Sequence, residues 1–273
     1  MSDVTKTVSL IGIPLEEGSG RGGCAMGPAA LRIAGIAQTL LDLGYTVEDR
    51  GDLRPAPADD LPQMERARKL DVVGAFTRVI EAETYAAASR GSVPVMLGGD
   101  HSLSMGSVSG MARHARDAGR PLFVLWLDAH SDFNAPDTSP SGNIHGMPVA
   151  TLFGYGAGAL VNLADPAPAL SRDELVQIGI RSVDEDEKRF VHEQGLEVFD
   201  MRSIDEMGMR TVMQQALHGV DDDTHIHVSF DVDFLDAELA PGVGTAVPGG
   251  PTYREAHLCM EMIADTGRLA SLD

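Results

Sequence analysis

Short apolar runs and helical periodicities alternate along the chain from one end to the other. Val8–Ile13 is a run rich in branched residues and predicts a strand, with a glycine-rich loop after it at Gly18–Gly23. Pro28 suits a first helical turn, and Ile33, Ile36, Ala37, Leu40 and Leu41 then recur at helical spacing before a stop at Gly44. Thr46–Asp52 reads as a second strand, and a proline-rich loop, Pro55 to Pro62, leads to a helix with Val72, Val73, Phe76, Val79 and Ile80 on one face. Val93–Leu97 and Pro121–Leu127 are apolar without alternation, the pattern of parallel strands covered by helices on both faces. Further helices are predicted over 103–118, 145–154, 203–218 and 252–265, and further strands at Leu175–Ile180, Leu196–Phe199 and Ile226–Val232. Gly154–Ser171, rich in Gly, Ala and Pro, reads as loop. With no internal repeat or linker, the pattern predicts one α/β domain of three layers with a mostly parallel sheet.

At 273 residues the chain can bury a large core. The N-terminus, MSDVTKTVSLIGIPL, carries Asp3 and only a short apolar stretch, so it does not read as a signal peptide. No apolar run approaches the roughly 20 residues a bilayer span needs. Cys24 and Cys259 form no CxxC pair, which argues against a disulfide framework or a thiolate zinc site and fits a reducing cytoplasm. A net charge of −20 repels nucleic acid and anionic membranes and attracts cationic substrates.

In sheets of this class, ligands bind at the carboxyl ends of the strands, and three segments stand there. GGDHS (Gly98–Ser102) follows the Val93–Leu97 strand, DAHSDFN (Asp128–Asn134) follows PLFVLWL, and SFDVDFLD (Ser229–Asp236) ends the strand beginning near Ile226. Asp128, His130 and Asp132 alternate, so an extended backbone would point all three to one side, and Asp231 and Asp233 repeat the arrangement. His101 comes after two glycines that permit a tight turn and a close approach. Four carboxylates and two imidazoles gathered without a basic neighbour would repel one another unless cations sat between them. They are enough to hold two metal ions through shared oxygens, and oxygen-rich, thiolate-free ligation favours Mn²⁺, with zinc, cobalt and nickel open.

These three segments resemble the ureohydrolase (arginase–agmatinase) signatures, in order and in spacing. The similarity extends to IGIPLEEGSGRGG, GPAALR and GIRSVDEDE (Gly179–Glu187), and so covers nearly the whole chain. The resemblance implies an arginase-like fold and two Mn²⁺ per subunit. One ion would be held by His101, Asp128, Asp132 and Asp231, the other by His130, Asp128, Asp231 and Asp233, with Asp128 and Asp231 bridging and a hydroxide between the ions. It further implies a homotrimer or homohexamer.

After DAHSDFN the chain reads APDTSPSGNIHGMP, similar to the arginase form of the loop. By that likeness Asn134, Ser141 and Asn143 would hydrogen-bond an α-carboxylate, and Asp184 and Glu187 would hold the α-amino group. His145 would shuttle a proton to the departing amine, while Asp132 would orient the hydroxide. The implied reaction is hydrolysis of L-arginine, a small cationic guanidino substrate, to L-ornithine and urea, with agmatine or a guanidino acid as the alternative substrate. His225 and His227 read as structural, His114, His192, His218 and His257 as surface residues of helices, Asp221–Asp223 as a solvated loop and Trp126 as core.

Two departures from the pattern stand out. The usual proline after the LD of the third motif is Ala237, and the chain stops at LASLD, Leu269–Asp273. In relatives that stretch opens another strand, followed by a glutamate that binds the guanidinium and by a final helix. The resemblance thus implies one ureohydrolase domain over 1–273 without that final strand and helix, and leaves open a catalytically disabled metal-binding form.

Overall fold

The computed structural model describes residues 6–55, 57, 61, 64 and 66–273. Residues 1–5 of the leader reading and most of the Pro55–Pro62 loop lie outside the described residues.

Among those described, eight strands form one sheet: β1 (Thr7–Gly12), β2 (Thr46–Asp52), β3 (Val93–Leu97), β4 (Leu122–Leu127), β5 (Leu175–Ile180), β6 (Glu197–Asp200), β7 (His225–Phe230) and β8 (Leu269–Leu272). Their order across the sheet is β2-β1-β3-β8-β7-β4-β5-β6, and every pairing is parallel. The final strand that the resemblance implied to be missing is formed in part, as the four-residue β8 between β3 and β7.

Helices cover both faces, and the strand alternation decides which residues meet which. Leu122, Val124 and Trp126 of β4 face one side, packing with Val108 and Met111 of α4 (Ser104–Ala118) and Val149 of α5 (Pro148–Leu152). Ile11 and Met96 meet α3 (Leu70–Ser89) on the same side through Val73 and Ile80. Leu125 and Leu127 face the opposite layer of α8 (Met201–Met207), α9 (Met209–Ala216) and α10 (Tyr253–Thr266). Leu10 and Leu97 continue that layer against Ile36, Ala37 and Leu40 of α2 (Ile36–Asp42). The three-layer reading holds because these strands are apolar on both faces.

Some periodic stretches break where the backbone changes hand. The helix expected through Ile33 and Leu41 is split into α1 (Gly27–Ile33) and α2 at Gly35, whose φ is +91°, and the one expected over 203–218 is split at Gly208, φ +78°. His218 thereby lies beyond α9 and not on a helix. The 154–171 loop contains one helical turn, α6 (Gly158–Val161). α7 (Glu185–Gln194) starts on a reciprocal cap between Asp184 and Glu187 and lays Phe190 and Val191 against the α4 side of the core.

Candidate metal centre

All three signatures sit at the carboxyl edge of the sheet. After β3, Gly99 is pressed so close to the chain that a Cβ there would stand 2.3 Å from the Leu15 carbonyl oxygen. The buried Asp100 side chain then turns back. Its Oδ2 accepts from the Gly18 and Ser19 N–H groups at 2.8 and 3.0 Å, and its Oδ1 from the Ser102 N–H at 3.0 Å. One carboxylate thus ties the glycine-rich loop to the turn that presents His101.

β4 ends at Leu127, so the extended backbone inferred from the DxHxD alternation does not persist. Asp132 adopts φ +49°, with its carbonyl held by the Val149 N–H at 3.0 Å. Nor are Asp231 and Asp233 on a strand as expected. β7 closes at Phe230, Asp231 caps a 3₁₀ turn over Val232–Phe234, and the Asp231 carboxylate accepts from the Asp233 N–H at 2.8 Å. The predicted residues converge, but turns rather than extended strands bring them together.

Around His101 Nδ1 lie Asp128 Oδ2 at 3.0 Å, Asp132 Oδ2 at 3.0 Å and Asp231 Oδ2 at 3.1 Å. That nitrogen is buried and lacks a hydrogen-bond partner. His130 Nδ1 stands 3.5 Å from Asp128 Oδ1 and 3.3 Å from Asp233 Oδ2. Two groups of converging donors result, His101–Asp128–Asp231 and His130–Asp128–Asp233, which share Asp128. An orphaned imidazole nitrogen aimed at buried carboxylate oxygens is what a cation would satisfy, so the donor set fits a pair of divalent ions.

Protonation points the same way. Burial would lift Asp128, but its contacts with His101 and His130 outweigh burial and hold it below the usual carboxylate range. Burial and the Asp128 charge push Asp132 up to about 8, and burial with the neighbouring carboxylates pushes Asp233 to about 6. Burial opposes charge on the imidazoles, yet the carboxylates prevail and raise His130 to about 11 and His101 well above its ordinary value. Without ions the cluster borrows protons to balance its charge.

A cleft of about 190 Å³ gathers His101, His130, Asp132, Asp231 and His145, with Asn134, Ser141, Asn143, Asp184 and Glu187, while Asp128 and Asp233 are buried and do not line it. Asn143 Nδ2 donates to the Ser19 carbonyl at 3.0 Å, and Ser141 Oγ accepts from the Asn143 N–H at 3.2 Å, which leaves the serine proton free. Glu187 accepts from the Phe133 N–H at 2.8 Å and the Asp184 N–H at 3.3 Å; burial pushes its carboxyl up to about 7. Burial and the charges on His101 and His130 lower His145 to about 4.

Three supporting residues were not assigned to the site by sequence reasoning. Trp126 is fully buried, as expected of core, but its Nε1–H also donates to Asp128 Oδ2 at 3.0 Å and its ring stacks on His101, centroids 4.3 Å apart. Its place two residues before Asp128 on an alternating strand was the available signal. Arg181 fans its guanidinium onto the carbonyls of Asp233 (2.7 Å), Val247 (2.8 Å) and Phe234 (3.1 Å), clamping the turn that carries Asp233. Asp100 has no signal beyond its GGD turn. His225 and His227 stay clear of the cleft, as expected.

A parallel sheet topped by paired carboxylate–imidazole groups defines a metal-dependent hydrolase of the α/β class. The chain belongs to the arginase family, whose model matches residues 6–273. It is 45% identical over 271 residues to an arginase of Agrobacterium fabrum, covering 98% of this chain and 83% of that relative. An arginase structure from Bacillus subtilis superposes with a TM-score of 0.89 at 42% identity, over 98% of this chain and 89% of the other. An Entamoeba histolytica arginase in complex with L-ornithine gives the same TM-score at 29% identity, over 98% and 89%.

Proposed function

We propose that this protein is an arginase, hydrolysing L-arginine to L-ornithine and urea with two Mn²⁺ ions per subunit. The observation that carries this reading is the make-up of the cleft wall. Uncharged donors, Asn134, Ser141 and Asn143, stand on one loop, with the acids Asp184 and Glu187 nearby, all above the double cluster. That set complements an amino-acid head group: amide and hydroxyl donors for the carboxylate, acids for the ammonium. Agmatine, with no carboxylate, would leave those donors unpaired. The likeness to an ornithine-bound arginase supports the same choice.

When bound, the two ions supply acidified water and positive charge beside the guanidinium carbon. Asp132 is placed to orient the attacking water by accepting its hydrogen bond. His145, neutral at rest, would take up a proton from water and pass it on to the departing ornithine nitrogen, a stronger base. No single helix among the described residues is long and apolar enough to cross a membrane. We place the enzyme in the cytoplasm as a homotrimer or homohexamer, in keeping with its two free cysteines and its family.

Urea release by the Mn²⁺-loaded protein tests the reading, with L-arginine, agmatine and 4-guanidinobutyrate side by side. Arginine is expected to be strongly preferred, and replacing Asn143 by Ala should weaken arginine far more than agmatine. A preference for agmatine would overturn the substrate assignment. Bound Mn²⁺ without urea from any of the three would mean a disabled site.

A further inference from the structure

We infer that Ser229 and Asp273 form a hydrogen-bond relay behind His101 that fixes which ring nitrogen faces the metal cluster. They thereby set the affinity of the ion held there. The inference rests on the two-ion reading above and concerns residues outside the proposed ligand set.

The ring of His101 has two ends. Nδ1 looks into the carboxylates, whereas Nε2 lies 2.9 Å from Ser229 Oγ, in the buried interior behind the site. Ser229 Oγ in turn lies 2.6 Å from Asp273 Oδ1. Asp273 has a nearly closed environment, with a side chain only 2% exposed. Its Oδ1 also accepts from Ser104 Oγ at 3.0 Å, while Oδ2 accepts from His227 Nε2 at 2.9 Å and from Ser107 Oγ. Burial would lift this carboxyl, but His227 and the surrounding hydroxyls hold it down to about 2.

The direction of each bond follows. An ionised carboxylate has no proton to give, so the Ser229 hydroxyl must donate to Asp273. Having spent its one proton, Ser229 can only accept from His101, and Nε2 must carry the hydrogen. In a neutral imidazole the lone pair is then on Nδ1, the nitrogen facing Asp128, Asp132 and Asp231. The Trp126 ring, inclined 14° to the imidazole, keeps the ring from turning away. Ser229 closes on β7, His101 follows β3, and Asp273 follows β8, the strand between them. The central strand thus delivers an anion behind a metal-facing imidazole, an arrangement that raises ligand basicity and fixes orientation.

The test is a Mn²⁺ titration of the metal-stripped full chain, followed by calorimetry and by electron paramagnetic resonance. Ser229→Ala should weaken one of the two Mn²⁺ sites by about 10–100-fold and leave the other unchanged. Asp273→Asn, whose amide can donate toward Ser229 and reverse the relay, should do the same with the serine intact. In the Zn²⁺-loaded protein, the His101 Nε2–H should give a slowly exchanging, downfield NMR signal that Ser229→Ala abolishes. Two Mn²⁺ sites of wild-type affinity in Ser229→Ala would overturn the relay alone, as would equal weakening of both sites, the signature of a merely structural role. A wild-type chain that takes up no Mn²⁺ would overturn the two-ion reading and the relay with it.

Discussion

Replacing Glu187 by Gln should stabilise the metal-free protein at alkaline pH and cost it about 1 kcal/mol at acid pH. The Glu187 carboxyl is 4% exposed, and burial pushes it up to about 7 from an ordinary 4.5, against the pull of the Phe133 and Asp184 N–H groups. A group whose folded value is raised contributes stability that is fully present below its unfolded value and lost as pH rises through the folded one. For Glu187 the loss therefore runs from about pH 4.5 to beyond pH 7. At about 1.36 kcal/mol per tenfold, that interval is worth about 3 kcal/mol. Gln has no proton to lose and escapes the penalty. Its carbonyl can still accept from the Phe133 N–H, while the bond from Asp184 is lost, a constant offset of about 1 kcal/mol. Guanidinium unfolding in EDTA, repeated between pH 5 and 8.5, measures the difference between variant and wild type. The reasoning predicts a difference that grows with pH in the variant's favour. A flat difference, or one that grows in the wild type's favour, would refute it. Adding Mn²⁺ should shrink the effect, because nearby positive charge favours the ionised Glu187.

Trp126→Phe should keep the stack on His101 but remove the donor to Asp128 Oδ2, costing about 1.5–3 kcal/mol before any cavity term. Denaturant unfolding of the metal-free protein reads this, and the cost should fall in an Asp128→Asn background. Gly99→Ala would put a Cβ 2.3 Å from the Leu15 carbonyl and 2.6 Å from that of Ile13, so the turn bearing His101 must shift. The expected loss is about 2–3 kcal/mol in stability, together with weakened Mn²⁺ uptake in calorimetry. Saturation with Mn²⁺ at a hundredfold excess over Kd should add about 2.7 kcal/mol per ion, seen as a rise in Tm that EDTA reverses.

Much of this architecture was legible because the sheet is buried on both faces. Val93–Leu97 and Leu175–Ile180 carry apolar runs bounded by turn residues and became strands with those bounds, as did Thr46–Asp52, although that edge strand is mostly charged and exposed. What periodicity could not deliver were breaks set by a single backbone angle, as at Gly35 and Gly208, since a helical stripe continues in register across them. The bounds of α7 were equally hidden. It begins in RSVDEDE, where the acids make the cap and the site together, and its apolar stripe is only Phe190 and Val191. The candidate ligand residues were legible as types at strand ends, but not in their geometry. Asp132 points inward only because of its left-handed backbone, which no pattern of residue types encodes.

The electrostatics of the cluster tie these observations together. Asp128, Asp132, Asp231 and Asp233 converge where the cations in contact are two imidazoles, and the cluster compensates by holding protons on His101, His130 and Asp132. Two divalent ions would replace those protons, so ion binding releases them and tightens as pH rises. Such a design needs rigid backing, because displaced ligands would take protons back. Trp126 behind Asp128, Arg181 over the Asp233 turn, and Ser229 with Asp273 behind His101 each fix one part of the cluster from its dry side. None of the four lines the candidate substrate cleft. Their substitution should therefore change metal affinity and its pH dependence before it changes the choice among guanidino compounds, which the proposed reading assigns to Asn134, Ser141, Asn143 and Asp184.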